Sequence, residues 1–314
     1  MQSLPSEIFI AIINALTSDT HAGAYTYTSE VKDALRNLAL VNHAYYQWSS
    51  SLLYRRVTVT GDQIAQLVAT LSGSGTTPRT QSLAERVRSL RLVAVYPIGW
   101  ELGPQDPAEN KCKAVTLLHI LARTTAFQRL FVDADIASSW YRKTRSSGLT
   151  HTCIDPNLHA TILSLKSLSE LVLRNKYYRT INFFWNTLPR CNRLSGLRVL
   201  TVVDIAINDP RMINLIQTTM NLKELVLIRP WIDCDFKEVG CTLASLFAPP
   251  WALQHLTIVL GNGWEGWRLE DLGSAMGPHL DKVDIFSEGD PQDLSSWVNI
   301  GDLIGMGHRW SWRI

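Results

Sequence analysis

Paired acidic residues are the first feature of this sequence that could support chemistry. Asp133 and Asp135, and again Asp233 and Asp235, stand two positions apart. On a β-strand that spacing places both carboxylates on the same side of the chain, where they could bind a metal ion. Neither pair is accompanied by a phosphate-binding loop or by further ligands, so solvated loop residues are the simpler interpretation.

The histidines and cysteines do not show catalytic spacing. His119, His151 and His159 have no histidine four residues further on and no H-E-x-x-H context, so the sequence indicates no zinc hydrolase. Cys153 stands close to His151 as a conceivable nucleophile and base, but their spacing in an expected loop fixes no geometry. The five cysteines include no C-x-x-C pair, which favours reduced thiols over disulfides or a structural zinc site.

The motifs and the composition argue for a soluble protein without catalysis. The sequence contains neither G-x-S-x-G, nor a P-loop, nor G-x-G-x-x-G, so we expect no enzyme activity, no cofactor and no metal. Thirty basic and 28 acidic residues give a net charge of +2, too small a field to favour nucleic acid or a membrane as partner. No apolar run reaches the roughly 18 residues of a membrane span. We therefore expect a cytoplasmic and/or nuclear location.

The segment from Leu4 to Leu16 predicts a helix with an unusually wide apolar face. Pro5 suits the first turn, where its missing N–H would be unpaired in any case. The apolar residues of this face are Leu4, Ile8, Phe9, Ile12, Ile13 and Leu16. Because they span about half of the circumference, the helix must bury two sides, either within its own domain or with one side against another protein.

Two further helices are predicted before residue 60. The first has Val31, Ala34, Leu35 and Leu38 on one face, with Leu40 pointing the opposite way. The second begins after Asn42, places Tyr45, Trp48 and Leu52 at i, i+3, i+7 spacing, and ends near Tyr54 and Arg55. Three short helices make a small core, so we expect them to pack against a partner or against the rest of the chain.

These stretches resemble the F-box domain, in its divergent fungal-type form. The matching pieces are Leu4-Pro5-Ser6-Glu7-Ile8, Ile12-Ile13 with Leu16, Leu38-Ala39-Leu40-Val41-Asn42 and Leu52-Leu53-Tyr54-Arg55. The resemblance implies that residues 1–60 form a three-helix module that binds a Skp-type adaptor and, through it, a cullin. The contact residues that it implies are Leu4, Pro5, Ile8, Ile12, Leu16, Leu40 and Val41. The residue pattern alone leaves open a helical cap whose apolar ridge is buried inside the chain.

From residue 87 onward, an apolar-x-x-apolar-x-apolar unit recurs seven times. Its middle residues are Leu90, Leu130, Leu171, Leu200, Leu225, Leu256 and Val283. The last two apolar positions of each unit alternate as in a strand, and helix-compatible segments lie between the units, which predicts an α/β fold with a parallel sheet. The units resemble leucine-rich repeats, so residues 61–314 are expected to form an irregular solenoid. Ordinary amphipathic helices are the alternative source of such leucine pairs.

The sequence also predicts the segments between and around these units. Helices are expected over Ala114–Thr125, Leu158–Leu165, Ile181–Leu188, Arg211–Met220, Thr242–Phe247 and Leu269–Met276. Polar segments rich in Gly and Pro, Ser72–Ser82 and Pro97–Lys111, predict surface loops. The tail from Trp297 to Ile314 carries two tryptophans near its end, which we expect to cover the last repeat.

Aromatic and arginine residues just beyond the predicted strands are the best candidates for binding a protein substrate. They are Tyr177, Tyr178, Arg179, Arg229, Trp231, Trp264 and Trp267. The alternative is that these side chains fold back over the sheet edge. The expected function is a substrate-recruiting subunit of a Skp/cullin/F-box-type ubiquitin ligase. Its rivals are a leucine-rich interaction scaffold without a ligase and an enzyme built on the same repeats.

Overall fold

The computed structural model describes residues 11, 28–60, 63–72, 83–93, 107–133, 138–139, 153–154, 161–174, 194–204, 215–216, 219–230, 253–260, 282–287 and 309–312. Its main helices within these ranges are α1 (Ser29–Ala39), α2 (His43–Arg55), α3 (Ile64–Ser72) and α4 (Pro107–Ala122). Its strands are β1 (Arg56–Thr60), β2 (Ser89–Val93), β3 (Arg129–Asp133), β4 (Ser138–Ser139), β5 (Cys153–Ile154), β6 (Glu170–Arg174), β7 (Val199–Val203), β8 (Glu224–Ile228), β9 (His255–Leu260), β10 (Lys282–Ser287) and β11 (Arg309–Trp312).

One nine-stranded sheet organises the described chain, in the order β1-β2-β3-β6-β7-β8-β9-β10-β11. Every neighbouring pair from β1 to β10 is parallel, and β11 closes the end of the sheet antiparallel to β10. Strands β4 and β5 form a separate antiparallel pair. The predicted α/β class and parallel sheet are therefore confirmed.

The seven recurring sequence units all become strands of this sheet, in one common register. Their middle residues stand directly opposite one another in a row, Leu90, Leu130, Leu171, Leu200, Leu225, Leu256 and Val283. The apolar residues two positions later form a second row, Leu92, Val132, Leu173, Val202, Leu227, Ile258 and Ile285. A slip of one residue would turn a strand's apolar side chains to the other face, so these rows specify the register.

A tight turn comes before several of these strands and packs on the turn of the preceding unit. The amides of Val87, Leu168, Leu197 and Leu222 each donate to the carbonyl three residues earlier, at 3.0 to 3.3 Å. In the turn before β7, a Cβ atom on Gly196 would lie 2.7 Å from the carbonyl oxygen of Lys166. In the next turn, Asn221 Nδ2 donates to the carbonyl oxygen of Ser195 at 2.6 Å. Each turn is therefore fitted to its predecessor.

Consecutive units are also joined by a repeated pair of backbone hydrogen bonds. The carbonyl oxygen of Arg88 accepts from the amides of Gln128 and Arg129, at 2.9 and 3.0 Å. Four more carbonyls accept two amides of the next unit in the same way, those of Gln128, Ser169, Arg198 and Lys223. The same bonding at each step stacks the units like the repeats of a quasi-one-dimensional array.

Both faces of the sheet are largely buried from β2 to β9, whereas β1 at the edge is mostly half-buried. From β2 to β9 the leucine rows lie on the first face and form the largest apolar core, to which Leu117 and Leu121 of α4 belong. The second face carries a smaller apolar cluster, Phe131, Val172, Val203, Val226, Ile228 and Val259. Parallel strands covered on both faces require nearly continuous apolar runs. Segments such as Val199–Val203 and Glu224–Ile228 supply them.

The N-terminal helices pack on each other and run directly into the sheet. Val31 and Leu35 of α1 are buried, and Leu52 and Leu53 of α2 pack against them. Helix α2 ends at Arg55 and β1 begins at Arg56, without an intervening loop. The sheet therefore starts within residues 1–60.

Three expectations need correction or completion. Residues 107–111 were expected in a loop, but α4 begins at Pro107, because proline fits a first helical position and alanine, glutamate and lysine follow it. The spacing of Tyr45, Trp48 and Leu52 predicts one shared face, yet Trp48 is 52% exposed. The tail forms edge strand β11, with Trp310 and Trp312 opposite Ile285 and Val283.

Other predicted helices are confirmed only in part or lie outside the described residues. Residues 161–164 and 215–216 are helical, as expected for their segments. The expected helices over Ile181–Leu188, Thr242–Phe247 and Leu269–Met276 lie outside the described residues, as does the helix from Leu4 to Leu16 apart from residue 11. None of the described helices is long and apolar enough to cross a membrane.

Candidate functional site

The connection between α1 and α2 is a short turn held by hydrogen bonds on both sides. At the end of α1, the amide of Leu40 donates to the carbonyl of Asn37 at 3.1 Å, and that of Val41 to the carbonyl of Leu38 at 3.2 Å. Asn42 then caps α2, because its Oδ1 accepts from the amide of Tyr45 at 2.9 Å. Leu40 and Val41 are therefore fixed between two capped helix ends.

Large apolar side chains around this turn face water. Leu40 is 85% exposed and Val41 62%, and on α2 Tyr46 is 47% and Trp48 52% exposed. Among the described residues only Met220 joins these four as an exposed large hydrophobic side chain. Exposed apolar groups concentrated in one place mark candidate interaction sites. We refer to residues 40–48 as the exposed apolar segment.

The exposed apolar segment stands on a packed base. Beneath it, Val31 and Leu35 form a small core with the partly buried Leu52 and Leu53. On α2 the buried positions are Ser49 and Ser50, whose small side chains permit close approach to the rest of the chain. Arg86 donates to Ser50 Oγ at 3.0 Å and so ties α2 to the turn before β2. A partner would therefore meet a surface that is already ordered.

Of the residues that the F-box resemblance implies for adaptor contact, the structure describes two. Leu40 and Val41 lie side by side and exposed, whereas Leu4, Pro5, Ile8, Ile12 and Leu16 lie outside the described residues. Sequence reasoning did not single out Tyr46, and it did not assign Trp48 to the contact. The buried serines Ser49 and Ser50 shift the buried face of α2 away from Trp48, which an apolar periodicity cannot indicate.

Of the substrate-binding candidates, the structure describes Arg229. Tyr177, Tyr178, Arg179, Trp231, Trp264 and Trp267 lie outside the described residues. Arg229 follows β8, and its Nη2 donates to Asp204 Oδ2 at 2.6 Å; the two side chains are 10% and 5% exposed. A ligand for Arg229 would therefore have to compete with an internal carboxylate.

This ion pair sits at the carboxyl edge of the sheet, where its electrostatics are unusual. Burial raises the pKa of Asp204 to about 6, although the charges of Arg229 and Arg174 oppose the shift. The carboxylate is thus ionised at neutral pH but much more readily protonated than an ordinary aspartate. Sequence reasoning missed Asp204, even though it follows β7 just as Arg229 follows β8.

A second polar group lies at the amino end of the strands on the second face. His255 Nε2 is 3.0 Å from Asp284 Oδ2 and 3.3 Å from Thr257 Oγ1, while Nδ1 is 3.7 Å from Glu224 Oε1. These contacts connect β8, β9 and β10 across the sheet. Within the described parts of the chain, no group of three or more His, Cys, Asp or Glu residues could hold a metal ion.

The carboxylate pairs considered from the sequence do not contribute to these sites. The carboxyl group of Asp133, at the end of β3, is not among the described side chains, and Asp135, Asp233 and Asp235 lie outside the described residues. Comparisons with known proteins gave no match to any protein-family profile and none to a curated protein. The exposed apolar segment and the carboxyl-edge ion pair are therefore the two candidate sites in the described part of the chain.

Proposed function

We propose that the chain is a substrate-recruiting subunit of a Skp/cullin/F-box-type ubiquitin ligase, which binds a Skp-type adaptor through its N-terminal helices. The observation that carries this proposal is the exposure of Leu40 and Val41, at 85% and 62%, on a turn fixed by caps on both sides. The F-box resemblance implies adaptor contact at these same two positions.

The energetics are compatible with docking at this place. Full burial of an aliphatic side chain contributes about 1.5 to 3 kcal/mol. Leu40 and Val41 together would therefore contribute roughly 3 to 6 kcal/mol, with more from the large rings of Tyr46 and Trp48. Association costs about 4 to 15 kcal/mol in lost freedom of the partners. The described residues alone cover only the lower part of that range, so we expect adaptor binding also to need the contacts implied for Leu4 to Leu16.

The repeated units support the second half of the proposal, a leucine-rich solenoid that presents a surface to a protein substrate. Its support is the common register of the leucine rows and the repeated hydrogen bonds that join one unit to the next. In such a protein the transferase chemistry occurs on other subunits. This chain would contribute proximity between the substrate and the ligase.

A binding experiment with a purified Skp-type adaptor tests the proposal. Leu40→Asp combined with Val41→Asp places two charges on the exposed apolar segment without disturbing a buried group, and we expect it to abolish binding. Met220→Asp is the matched control, because Met220 is also exposed, at 44%, but stands before β8. Binding that survives the double substitution would contradict the assigned surface.

The triple variant Leu4→Ala, Pro5→Ala, Ile8→Ala tests the remaining implied contacts. The resemblance predicts that it also loses the adaptor. If the intact chain itself fails to bind, the ligase role is wrong.

A leucine-rich scaffold without a ligase is the second candidate, and one specific observation favours it. Arg88 N donates to the carbonyl of Arg55 at 3.1 Å, and Arg86 reaches Ser50, so α2 is joined to the first unit as a cap would be. A cap that only closes the repeats would leave the adaptor unbound. The same binding experiment therefore separates the two candidates.

A further inference from the structure

The carboxyl edge of β7 and β8 carries an arrangement that the leucine rows do not require. Asp204 and Arg229 each come directly after a strand, with φ values of 56° and 45° that residues other than glycine rarely adopt. Both keep their amides in the backbone network, since Asp204 N donates to the carbonyl of Ile228 at 2.9 Å and Arg229 N to that of Val259 at 2.7 Å. Two strained residues that follow adjacent strands thus bring their side chains together, at the edge of a parallel sheet where ligands commonly bind.

The charges at this edge include two arginines around one carboxylate. Arg229 Nη2 lies 2.6 Å from Asp204 Oδ2, and Arg174, the last residue of β6, is close enough for its charge to favour ionised Asp204. Asp133 is the register partner of Arg174 on the adjacent strand β3. Burial acts against these arginines and raises the pKa of Asp204 to about 6. The arginines therefore stabilise the ionised form of Asp204, whereas its burial destabilises that form.

We propose that Arg229 and Arg174 form an oxyanion-binding site, which the Asp204 side chain fills as an internal competitor until a ligand's oxyanion displaces it. Guanidinium groups bind such anions through charge-assisted and often bidentate hydrogen bonds. Displacement of Asp204 is easiest when its carboxyl group is protonated, a form that burial favours. The site uses different residues from the exposed apolar segment, so a test of sulfate binding and a test of adaptor binding can fail independently of each other.

Sulfate is a suitable probe, because it keeps the same charge between pH 5.0 and 7.5. Calorimetry on the full chain should show about thirtyfold tighter sulfate binding at pH 5.0 than at pH 7.5. For a pKa of about 6, this factor is the ratio of the protonated fractions of Asp204 at the two pH values. Asp204→Gly removes the competitor and suits the positive φ, so we expect it to bind sulfate equally well at both pH values. Asp204→Asn, which also tolerates this conformation, serves if the glycine variant folds poorly.

Matched variants assign the effect to this site. Arg174→Gln should weaken sulfate binding about tenfold or more, as expected when a charge-assisted contact of about 1.5 to 3 kcal/mol is lost. Asp33→Asn breaks an exposed ion pair of similar length, in which Arg36 Nη1 lies 2.9 Å from Asp33 Oδ1. This control should leave sulfate affinity unchanged at both pH values. Absence of sulfate binding at pH 5.0, or equal competition by chloride at the same ionic strength, would overturn the proposal.

The source of the anion can be determined with the Asp204→Gly protein at pH 7.5. Acetate represents a free carboxylate, and N-acetyl-aspartyl amide represents an acidic side chain of a protein. Tighter binding of the blocked aspartate would assign the site to an acidic segment of a partner, and tighter binding of acetate to a small free acid. Failure of both probes, with sulfate also unbound, would remove the site altogether.

Discussion

Leu225→Ala tests how much of the stability depends on the leucine rows. Leu225 is completely buried on β8, with Leu200 and Leu256 directly opposite on the adjacent strands. The substitution removes about three carbon atoms, which at about 0.8 kcal/mol each represents a loss of about 2.4 kcal/mol. Because the neighbouring strands hold the row in place, the cavity left by the leucine cannot collapse. We therefore expect the free energy of unfolding to fall by about 3 to 4 kcal/mol in total.

Thr201→Val is the matched comparison on the second face of the sheet. Thr201 of β7 is 2% exposed, and its hydroxyl has no hydrogen-bond partner among the residues that the structure describes. A buried hydroxyl without a partner costs about 1 to 3 kcal/mol, and valine has nearly the same shape. We therefore expect the free energy of unfolding to stay the same or to rise by about 1 kcal/mol.

Urea unfolding followed by far-ultraviolet circular dichroism measures both changes on one scale. Leu225→Ala should lower the midpoint strongly without a large change in slope, since the surface exposed on unfolding is nearly the same. Thr201→Val should leave the midpoint in place or raise it. A loss below about 1 kcal/mol for Leu225→Ala, or a larger loss for Thr201→Val, would refute the reasoning about the two faces.

Three further predictions concern single positions. Gly196→Ala should lower the thermal midpoint, because a Cβ would lie 2.7 Å from the backbone oxygen of Lys166, whereas the exposed neighbour Ser195→Ala should not. Asp204 should make the free energy of unfolding fall as the pH rises from about 4 to about 6, because its raised pKa of about 6 lets the folded state bind more protons than the unfolded state. Urea unfolding at several pH values should show a total fall of about 3 kcal/mol over this range. The Asp204→Asn variant should not show this fall. Asn42→Ala removes the cap of α2 and should cost about 1 kcal/mol in thermal unfolding, a loss that Asn42→Ser should avoid.

The seven strands β2, β3 and β6 to β10 could be predicted from the sequence because each contains the same short local pattern. Leu168, Leu171 and Leu173 recur at i, i+3 and i+5, and the structure shows why: the first ends a tight turn, and the other two face the core from a strand. The same pattern in neighbouring units produces a common register. A short repeated pattern was therefore enough to predict these seven strands and their parallel pairing, but not the edge strands β1 and β11, which lie outside the seven units.

The remaining features depend on contacts that no local pattern records. The face that α2 buries depends on Ser49 and Ser50, which carry no apolar signal. The pair between Asp204 and Arg229 depends on the alignment of two strands and on positive φ at both residues. A signal was nevertheless present, since Asp204 stands four residues after Leu200 and Arg229 four residues after Leu225. An alignment of the units by their leucines would have paired them.

Hydrogen exchange of the intact chain, with and without a purified Skp-type adaptor, tests the central claim most directly. Because adaptor docking should bury the exposed apolar segment, we predict that the adaptor slows amide exchange in residues 40–48. The amides of β7 and β8, deep in the sheet, should exchange at the same rate in both samples. Unchanged exchange in residues 40–48 while the adaptor is bound would show that docking occurs elsewhere and would contradict this account.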